Sequence, residues 1–229
     1  MKTTAIILSG GKGKRMETNI PKQYLELDGK PILYYTIKAF EKSEVDDIIV
    51  VVGRDDIEYC KKNIIEKYDF KKVKAIIAGG KERYDSVYNG INKAEDADYI
   101  FIHDGARPLI HSQEINNLKK RVQKDKACIA GMPAKDTIKI VGEENMVEKT
   151  LNRKDVWIVQ TPQVFAYSLI KKAYDLMMSE NKEDITDDAM VLERYGTHPV
   201  TMVKTSYKNI KITTPEDIMV AEALLKADK

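Results

Sequence analysis

The chain has 229 residues, of which 43% are hydrophobic and 32% charged, and it carries a formal net charge of +2 at pH 7. A chain of this size and composition can bury a globular core without disulfides or structural metals. The nearly balanced charge gives no sign of a nucleic-acid partner or a membrane surface, and no stretch approaches the roughly 20 apolar residues of a membrane span. The two isolated cysteines, Cys60 and Cys128, are expected to be free thiols of a cytoplasmic protein.

Short runs of β-branched and aliphatic residues alternate with helical patterns along the first half of the chain. The runs predict strands at 4–8, 47–52, 73–78, 99–103 and 127–132, and the patterns between them predict helices at 31–42, 55–68, 83–93 and 112–124. Strands and helices at this spacing form βαβ units and hence a mostly parallel sheet. Because the strands are apolar almost throughout, helices should cover both faces of the sheet. The expected fold class is α/β and Rossmann-like.

The pattern changes after Pro133. Residues 137–141 and 146–151 alternate in polarity around a turn-like stretch at 142–145, which predicts a β-hairpin. A hairpin of this length cannot bury both of its faces alone, so a second subunit is an obvious packing partner. Helices predicted at 167–179, 186–194 and 215–226 and a strand at 200–203 complete a single domain, 1–229, with a β-arm at about 137–156.

A glycine-rich turn follows the first predicted strand, beginning at Ser9-Gly10-Gly11 and continuing through Gly13 to Arg15. Such a turn exposes backbone N–H groups that can hold phosphates. It lacks the Gly-Lys-Ser/Thr ending of the mononucleotide P-loop. Met16 stands where a dinucleotide-binding loop needs a third small residue, which disfavours a nicotinamide oxidoreductase. The glycines alone fit a plain strand-to-helix turn equally well.

Lys22 favours the phosphate-binding interpretation of this turn. It lies a few residues beyond Arg15, so one loop can place two cations on one polyphosphate. Nucleotidyl transfer needs such cations, because its transition state spreads negative charge over non-bridging and leaving oxygens.

A second candidate region follows the fourth predicted strand, at the edge where open α/β sheets bind ligands. Asp104 suits substrate hydroxyls or a metal ion and Arg107 suits a phosphate, although the two could simply pair with each other. We assign His103 a structural role, because a phosphate monoester is already ionised near neutral pH and needs no general base. The pair Asp187-Asp188 is explained by capping at the start of a helix.

Blocks of residues along nearly the whole chain resemble one superfamily, and any single block would be weak evidence. In chain order they are GGKGKRM at 10–16, PKQY at 21–24, GG at 79–80 with RYDSV at 83–87, HDGARP at 103–108, DTIK at 136–139, QTPQVF at 160–165, TDDA at 186–189, and NIKIT at 209–213 with PED at 215–217. Together, at this spacing, they resemble the sugar nucleotidyltransferases, and more narrowly the cytidylyltransferases acting on methylerythritol phosphate and ribitol phosphate.

The resemblance implies roles for particular residues. Residues implied at the CTP site are Ser9, Gly10, Gly11, Gly13, Gly80, Arg83 and Ser86, the last three beside the cytosine. Those implied to stabilise charge at the α-phosphate are Arg15, Lys22 and Lys211, with Lys211 expected in a late strand. The arm is implied to cross to the neighbouring subunit of a homodimer, where Thr137 and Arg153 join Asp104 and Arg107 around the polyol phosphate.

The activity implied is the reaction of CTP with methylerythritol phosphate, with Mg²⁺ as cofactor and Asp104 as a candidate metal ligand. The alternatives left open are a ribitol phosphate cytidylyltransferase and a catalytically silent nucleotide-binding regulator of the same fold. The chain also departs from the family pattern. It has Ser9-Gly10 where relatives often have two alanines, and Gly105 where they often have alanine.

Overall fold

The computed structural model describes residues 1–11, 20–180 and 184–227. The strands in these ranges are β1 (Thr3–Ser9), β2 (Glu26–Leu27), β3 (Lys30–Pro31), β4 (Asp47–Val52), β5 (Val73–Ala78), β6 (Tyr99–Asp104), β7 (Ala127–Pro133), β8 (Lys139–Val141), β9 (Val147–Thr150), β10 (Trp157–Ala166) and β11 (Thr201–Lys204). The helices are α1 (Ile32–Glu41), α2 (Ile57–Cys60, continued by a π-helical stretch at Lys61–Glu66), α3 (Arg83–Lys93), α4 (Ser112–Asp125), α5 (Tyr167–Ser179), α6 (Asp188–Tyr195) and α7 (Pro215–Lys226).

Within the described ranges, seven strands form one sheet in the order β11-β7-β10-β6-β1-β4-β5. Strands β6, β1, β4 and β5 are mutually parallel, as are β11 and β7, whereas β10 runs antiparallel to both of its neighbours. The prediction of an α/β fold with a mostly parallel sheet is confirmed. The strands predicted in the first half of the chain match the observed ones to within one residue at each end.

Helices cover both faces of the sheet, as the apolar strands predicted. Successive side chains of a strand point to opposite faces. Ile7 of β1 accordingly packs in the core beneath α1 and α4, while Ile6 packs in the core beneath α3 and α5. Each such aliphatic side chain contributes about 1.5–3 kcal/mol when fully buried, so sheet and helices stabilise each other.

Strand β10 was not predicted. Its residues Gln160, Thr161 and Gln163 are polar yet buried, so this segment lacks the continuous apolar run of the other central strands. Pro162 also argues against a central strand, because proline cannot donate to the ladder. The structure accommodates it where the pairing of β10 with β7 shifts register between Val159 and Gln163.

The strand predicted around Lys211 is wrong. Residues 209–213 belong to no strand, and the segment is instead attached to the loop after β6 by a hydrogen bond from the Ile212 N–H to the Ala106 carbonyl (2.8 Å). The Lys211 side chain is consequently 40% exposed rather than buried. Helix α7 follows at once, and its predicted cap at Thr214 is confirmed by a reciprocal capping box with Asp217.

The predicted hairpin is present. Strands β8 and β9 pair antiparallel, with Lys139 opposite Thr150, and form a sheet of their own. Their apolar side chains are exposed in the single chain, including Val141 and Val147. Cys60 and Cys128 are both buried and unpaired with each other. None of the described helices has the length and apolar character that crossing a bilayer demands.

Candidate active site

A cleft opens at the carboxyl ends of β1 and β6, where ligands bind in open α/β sheets. The predicted site residues that line it are Ser9, Gly10, Gly11, Lys22, Gly80, Arg83, Ser86, Asp104 and Lys211. Gly13 and Arg15 lie outside the described residues. The structure therefore brings together side chains from the glycine turn, the start of α3, the end of β6 and the segment before α7.

Asp104 is the electrostatic centre of the cleft. Its Oδ2 lies 2.8 Å from Lys211 Nζ and 3.6 Å from Arg107 Nε, and its Oδ1 lies 3.8 Å from Arg83 Nε. Burial by itself would raise the pKa of Asp104. The charges of Lys211, Arg83 and Arg107 outweigh burial and hold the pKa well below its ordinary value, so the carboxylate is ionised.

Lys22 is a second lysine that lines the cleft. It lies on a short 3₁₀ helix, Lys22–Tyr24, and its Nζ donates to the carbonyl of Ile212 (3.2 Å). Ile212 directly follows Lys211, so both lysines line the same part of the cleft. Because each lysine is held close to a backbone or carboxylate oxygen, two positive charges can stand side by side before any phosphate binds.

The turn after β5 is held against the start of α3. The Gly80 N–H donates to Ser86 Oγ (3.0 Å), and the Ser86 hydroxyl donates to the carbonyl of Glu82 (3.2 Å). A β-carbon at Gly80 would lie 2.2 Å from the β-carbon of Asp85, so this approach requires glycine. Backbone groups beside a fixed hydroxyl are suited to reading the edge of a small base.

His103 makes the contacts of a structural residue. Its Nε2 lies 3.2 Å from the carbonyl of Arg107, which can only accept, so Nε2 carries the proton. Its Nδ1 then accepts from the Thr161 hydroxyl (3.1 Å), whose oxygen accepts from the Asp104 N–H (3.0 Å). Complete burial lowers the pKa of His103 to about 4, so the imidazole is neutral at pH 7 and orients the loop that carries Asp104.

The polar side chains of β10 hold the other parts of the site, and no role was predicted for them. Gln160 Oε1 accepts from Asn209 Nδ2 (3.0 Å), and Asn209 Nδ2 also donates to the Thr161 carbonyl (2.9 Å). The Asn209 carbonyl accepts from Arg107 Nη1 (2.8 Å). The segment leading to Lys211 is thereby fixed to the sheet. The only sequence signal was the block QTPQVF, whose amides lie in an otherwise apolar segment.

The two aspartates at the start of α6 behave differently. Asp187 is the predicted cap, since its Oδ1 accepts from the Met190 N–H (2.9 Å). Asp188 is fully buried and accepts two hydrogen bonds from the Arg83 guanidinium, Nη1 to Oδ1 at 2.8 Å and Nη2 to Oδ2 at 2.6 Å. The guanidinium of Arg83 thus has a partner that the capping explanation of Asp188 did not include.

The predicted arm residues lie apart from the cleft of their own chain. Thr137 is exposed, and Arg153 Nη1 donates to the carbonyl of Lys135 at the base of the arm (2.8 Å). Neither residue lines the cleft. If Thr137 and Arg153 contact a substrate, they must therefore do so at the site of another chain.

The residues present fit Mg²⁺ bound jointly with phosphates. Across residues 1–11, 20–180 and 184–227, no three His, Cys, Asp or Glu side chains are grouped closely enough to hold a metal ion. Mg²⁺ is commonly held by one or two carboxylates together with substrate phosphates and water. Asp104 is an ionised carboxylate in the cleft and meets that requirement.

Lysines gathered in one cleft with the glycines that follow β1 suit the triphosphate of a nucleotide, and the fold and cleft together define a nucleotidyltransferase. Comparison with known families is more particular. The family model of 2-C-methyl-D-erythritol 4-phosphate cytidylyltransferase matches residues 3–227. The chain belongs to this family.

Individual relatives agree with the family match. The 2-C-methyl-D-erythritol 4-phosphate cytidylyltransferase of Lachnoclostridium phytofermentans is 51% identical over 225 residues, covering 98% of this chain and 97% of that protein. The protein of the same name from Alkaliphilus oremlandii is 49% identical, covering 98% and 95%. The crystal structure of 4-diphosphocytidyl-2C-methyl-D-erythritol synthase from Anaerococcus prevotii matches with a TM-score of 0.87 at 34% identity, covering 98% and 96%.

The buried imidazole of His103 predicts a pH dependence of stability. The folded-state pKa of about 4 lies below the ordinary value of 6.5, so the unfolded chain binds the extra proton first as the pH falls. This group should destabilise the fold progressively between pH 6.5 and pH 4, by on the order of 3 kcal/mol at the lower end. His103→Gln should reduce the slope of unfolding free energy against pH in that window, measured by urea denaturation. His198→Gln is the matched control, and an unchanged slope in His103→Gln would contradict the assignment.

Ser9 and Gly105, where the chain departs from the family pattern, are predicted to be coupled in their effects on stability. A β-carbon at Gly105 would lie 2.0 Å from Ser9 Oγ, which is buried and without a hydrogen-bond partner among the described residues. Gly105→Ala should therefore destabilise the protein by about 1–3 kcal/mol through overpacking. Ser9→Ala should be nearly neutral, because it removes an unpaired buried hydroxyl.

In the double variant Ser9→Ala/Gly105→Ala, part of the loss should be recovered, because the Ser9 oxygen is gone while a β-carbon at position 105 would still lie 2.9 Å from the Leu8 carbonyl oxygen. A double-mutant cycle of urea denaturation curves measures the coupling between the two positions. Additive effects would show that the two residues do not compete for the same space.

Proposed function

We propose that the protein transfers the cytidylyl group of CTP to 2-C-methyl-D-erythritol 4-phosphate and releases pyrophosphate, a step of non-mevalonate isoprenoid precursor synthesis. The observation that carries the proposal is the convergence of Lys22 and Lys211 with the glycine turn in one cleft, around the ionised Asp104. The full-length relatives named for this activity support the choice of CTP and of this polyol phosphate.

The chemistry is an in-line displacement at phosphorus. A phosphate oxygen of the polyol forms a bond to the α-phosphorus of CTP, the bond from that phosphorus to the bridging oxygen of the β-phosphate breaks, and pyrophosphate leaves with the electron pair. The attacking phosphate is ionised near neutral pH, so the neutral, buried His103 is not needed as a base. Positioning and electrostatic stabilisation therefore supply most of the rate.

Each part of the cleft has a proposed task. Lys22 and Lys211, with Arg15 beyond the described residues, offset the negative charge that develops around the α-phosphate. The turn at 9–13 binds the phosphates through its N–H groups, and the region of Gly80, Arg83 and Ser86 holds the cytosine. Arg107 binds the phosphate of the polyol, and Asp104 faces the polyol hydroxyls or the metal ion.

We propose Mg²⁺ as the cofactor, held by Asp104 and the phosphates of CTP. When bound, the ion would neutralise charge on the triphosphate and orient it. Lys211 and Arg107 keep Asp104 ionised and in place, so the protein's own contribution is a preformed carboxylate ligand.

We further propose a homodimer formed through the arm. The support is the exposed apolar surface of the arm and the distance of its polar residues from their own cleft. Thr137 and Arg153 would then complete the polyol-phosphate site of the partner. A cytoplasmic location is proposed with it, because the buried free thiols of Cys60 and Cys128 suit a reducing compartment.

Lys22→Ala should lower kcat by about 100- to 1,000-fold, the usual effect of removing one preorganised group that stabilises transition-state charge. The measurement is pyrophosphate release from CTP and Mg²⁺ with methylerythritol phosphate or ribitol phosphate. The exposed lysine of α4 supplies the control, since Lys124→Ala should keep wild-type turnover.

The same assay decides between the candidate functions. Faster release with ribitol phosphate would reassign the polyol. Failure of the wild-type protein to release pyrophosphate with either polyol would favour a silent nucleotide-binding protein.

Mixing two inactive variants should restore activity if the arm completes the partner's site. In a heterodimer of Arg153→Ala and Lys22→Ala, one of the two sites has its own Lys22 and a partner arm with Arg153. Refolding or subunit exchange of the equimolar mixture should recover up to about a quarter of wild-type activity, by random pairing of subunits. Activity no greater than the mean of the two separate variants would refute a shared site.

A further inference from the structure

Asp188 is a buried charge that helix capping does not explain. Its side chain is 0% exposed, and besides the two hydrogen bonds from Arg83 it accepts one from the Tyr174 hydroxyl (2.6 Å). Removing a carboxylate from water costs several kcal/mol, and apolar replacements of buried ion pairs are often neutral or stabilising. Stability alone therefore gives no reason to bury an aspartate here, whereas the adjoining Asp187 already supplies the cap.

The ion pair between Asp188 and Arg83 is in contact with the cleft. Arg83 binds Asp188 through both terminal nitrogens, a two-point contact that fixes the plane of the guanidinium. The remaining guanidinium nitrogen, Nε, then faces Asp104 Oδ1 at 3.8 Å, and Asp104 Oδ2 contacts Lys211 Nζ at 2.8 Å. Charges of alternating sign thus run from the buried core to the lysine that faces the substrate.

Further contacts fix the position of Asp188. Gln163 Oε1, on β10, accepts from the N–H groups of both Asp188 and Ala189 (each 2.9 Å). The carboxylate also lies in the first turn of α6, where the helix dipole favours negative charge. Sheet and helix together therefore define where Arg83 can sit.

On the basis of the proposed function, we propose that Asp188 is a positioning residue for nucleotidyl transfer that acts through Arg83. The two hydrogen bonds between Asp188 and Arg83 hold the guanidinium away from Asp104. The Asp104 carboxylate therefore stays oriented toward Lys211. Without the hydrogen bonds to Asp188, the Arg83 guanidinium would turn to Asp104 and form two hydrogen bonds with that carboxylate instead. Among the described residues, Asp104 is the other carboxylate that Arg83 approaches. Lys211 would lose its partner and its place beside the α-phosphate.

The first test replaces the charge and keeps the shape. Asp188→Asn should lower kcat about 10- to 100-fold, the range found for partners that orient a functional group. KM for CTP should change less than kcat, because the altered contact matters most in the transition state. Glu193→Gln is the matched control, because it removes a carboxylate charge from an exposed residue of the same helix and should keep wild-type kcat and KM.

A double-mutant cycle tests whether Asp188 acts through Arg83. If it does, Asp188→Asn/Arg83→Gln should be no slower than Arg83→Gln alone. If the fold-losses in kcat of the two single variants multiply in the double variant, Asp188 acts independently of Arg83, and the proposal is overturned. Thermal melting followed by circular dichroism verifies folding of every variant.

The double variant also keeps the test decisive if Asp188→Asn does not fold, since it leaves no buried charge of this pair unpaired. The proposal attributes the harm of Asp188→Asn to the released guanidinium, so the folded double variant should have the same kcat as Arg83→Gln alone. A kcat lower than that of Arg83→Gln would overturn the proposal. Wild-type protein that releases no pyrophosphate would refute the proposed function instead. Wild-type activity combined with an Asp188→Asn variant that behaves like Glu193→Gln would refute this inference alone.

Discussion

The arrangement of the candidate active site depends on the ion pairs that the Asp104 carboxylate makes with its cationic neighbours. This carboxylate stands among Lys211, Arg107 and Arg83, which would otherwise repel one another in a partly buried space. Three positive charges against the two negative charges of Asp104 and Asp188 leave this group net positive, and Lys22 adds to it. The protein can therefore hold cations close together before a triphosphate arrives, and the ligand meets charges that need little reorganisation.

Strand β10 supplies the framework for this arrangement. Gln160 fixes the segment before Lys211, Thr161 fixes the loop of Asp104, and Gln163 fixes the start of α6. Three distant parts of the chain thus meet on one strand. Its buried polar side chains are satisfied by backbone groups and side chains of other segments, as buried polar groups require. The strand gives up regular pairing with β7 over this stretch, which frees its groups for the site.

His103 shows why a side chain's type and position do not establish its role. A histidine next to an aspartate at the end of a central strand resembles an acid–base pair. Its two ring nitrogens are occupied by the Thr161 hydroxyl and the Arg107 carbonyl, and burial lowers its pKa to about 4. The nucleophile proposed for this site is already ionised, so a proton acceptor would contribute little. The imidazole orients the loop instead.

Periodicity and turn residues were enough to predict the α/β layers, the hairpin and the cap of α7, because these depend on neighbours in the chain. The residue blocks also indicated two lysines and a carboxylate, Lys22, Lys211 and Asp104, that the structure places in one cleft. Only the tertiary structure decided that β10 enters the sheet, that Lys211 lies in an irregular segment, and that Asp188 holds Arg83, 105 positions away in the chain. Such contacts join side chains that no local pattern relates, so they exist only once the sheet has brought distant segments together.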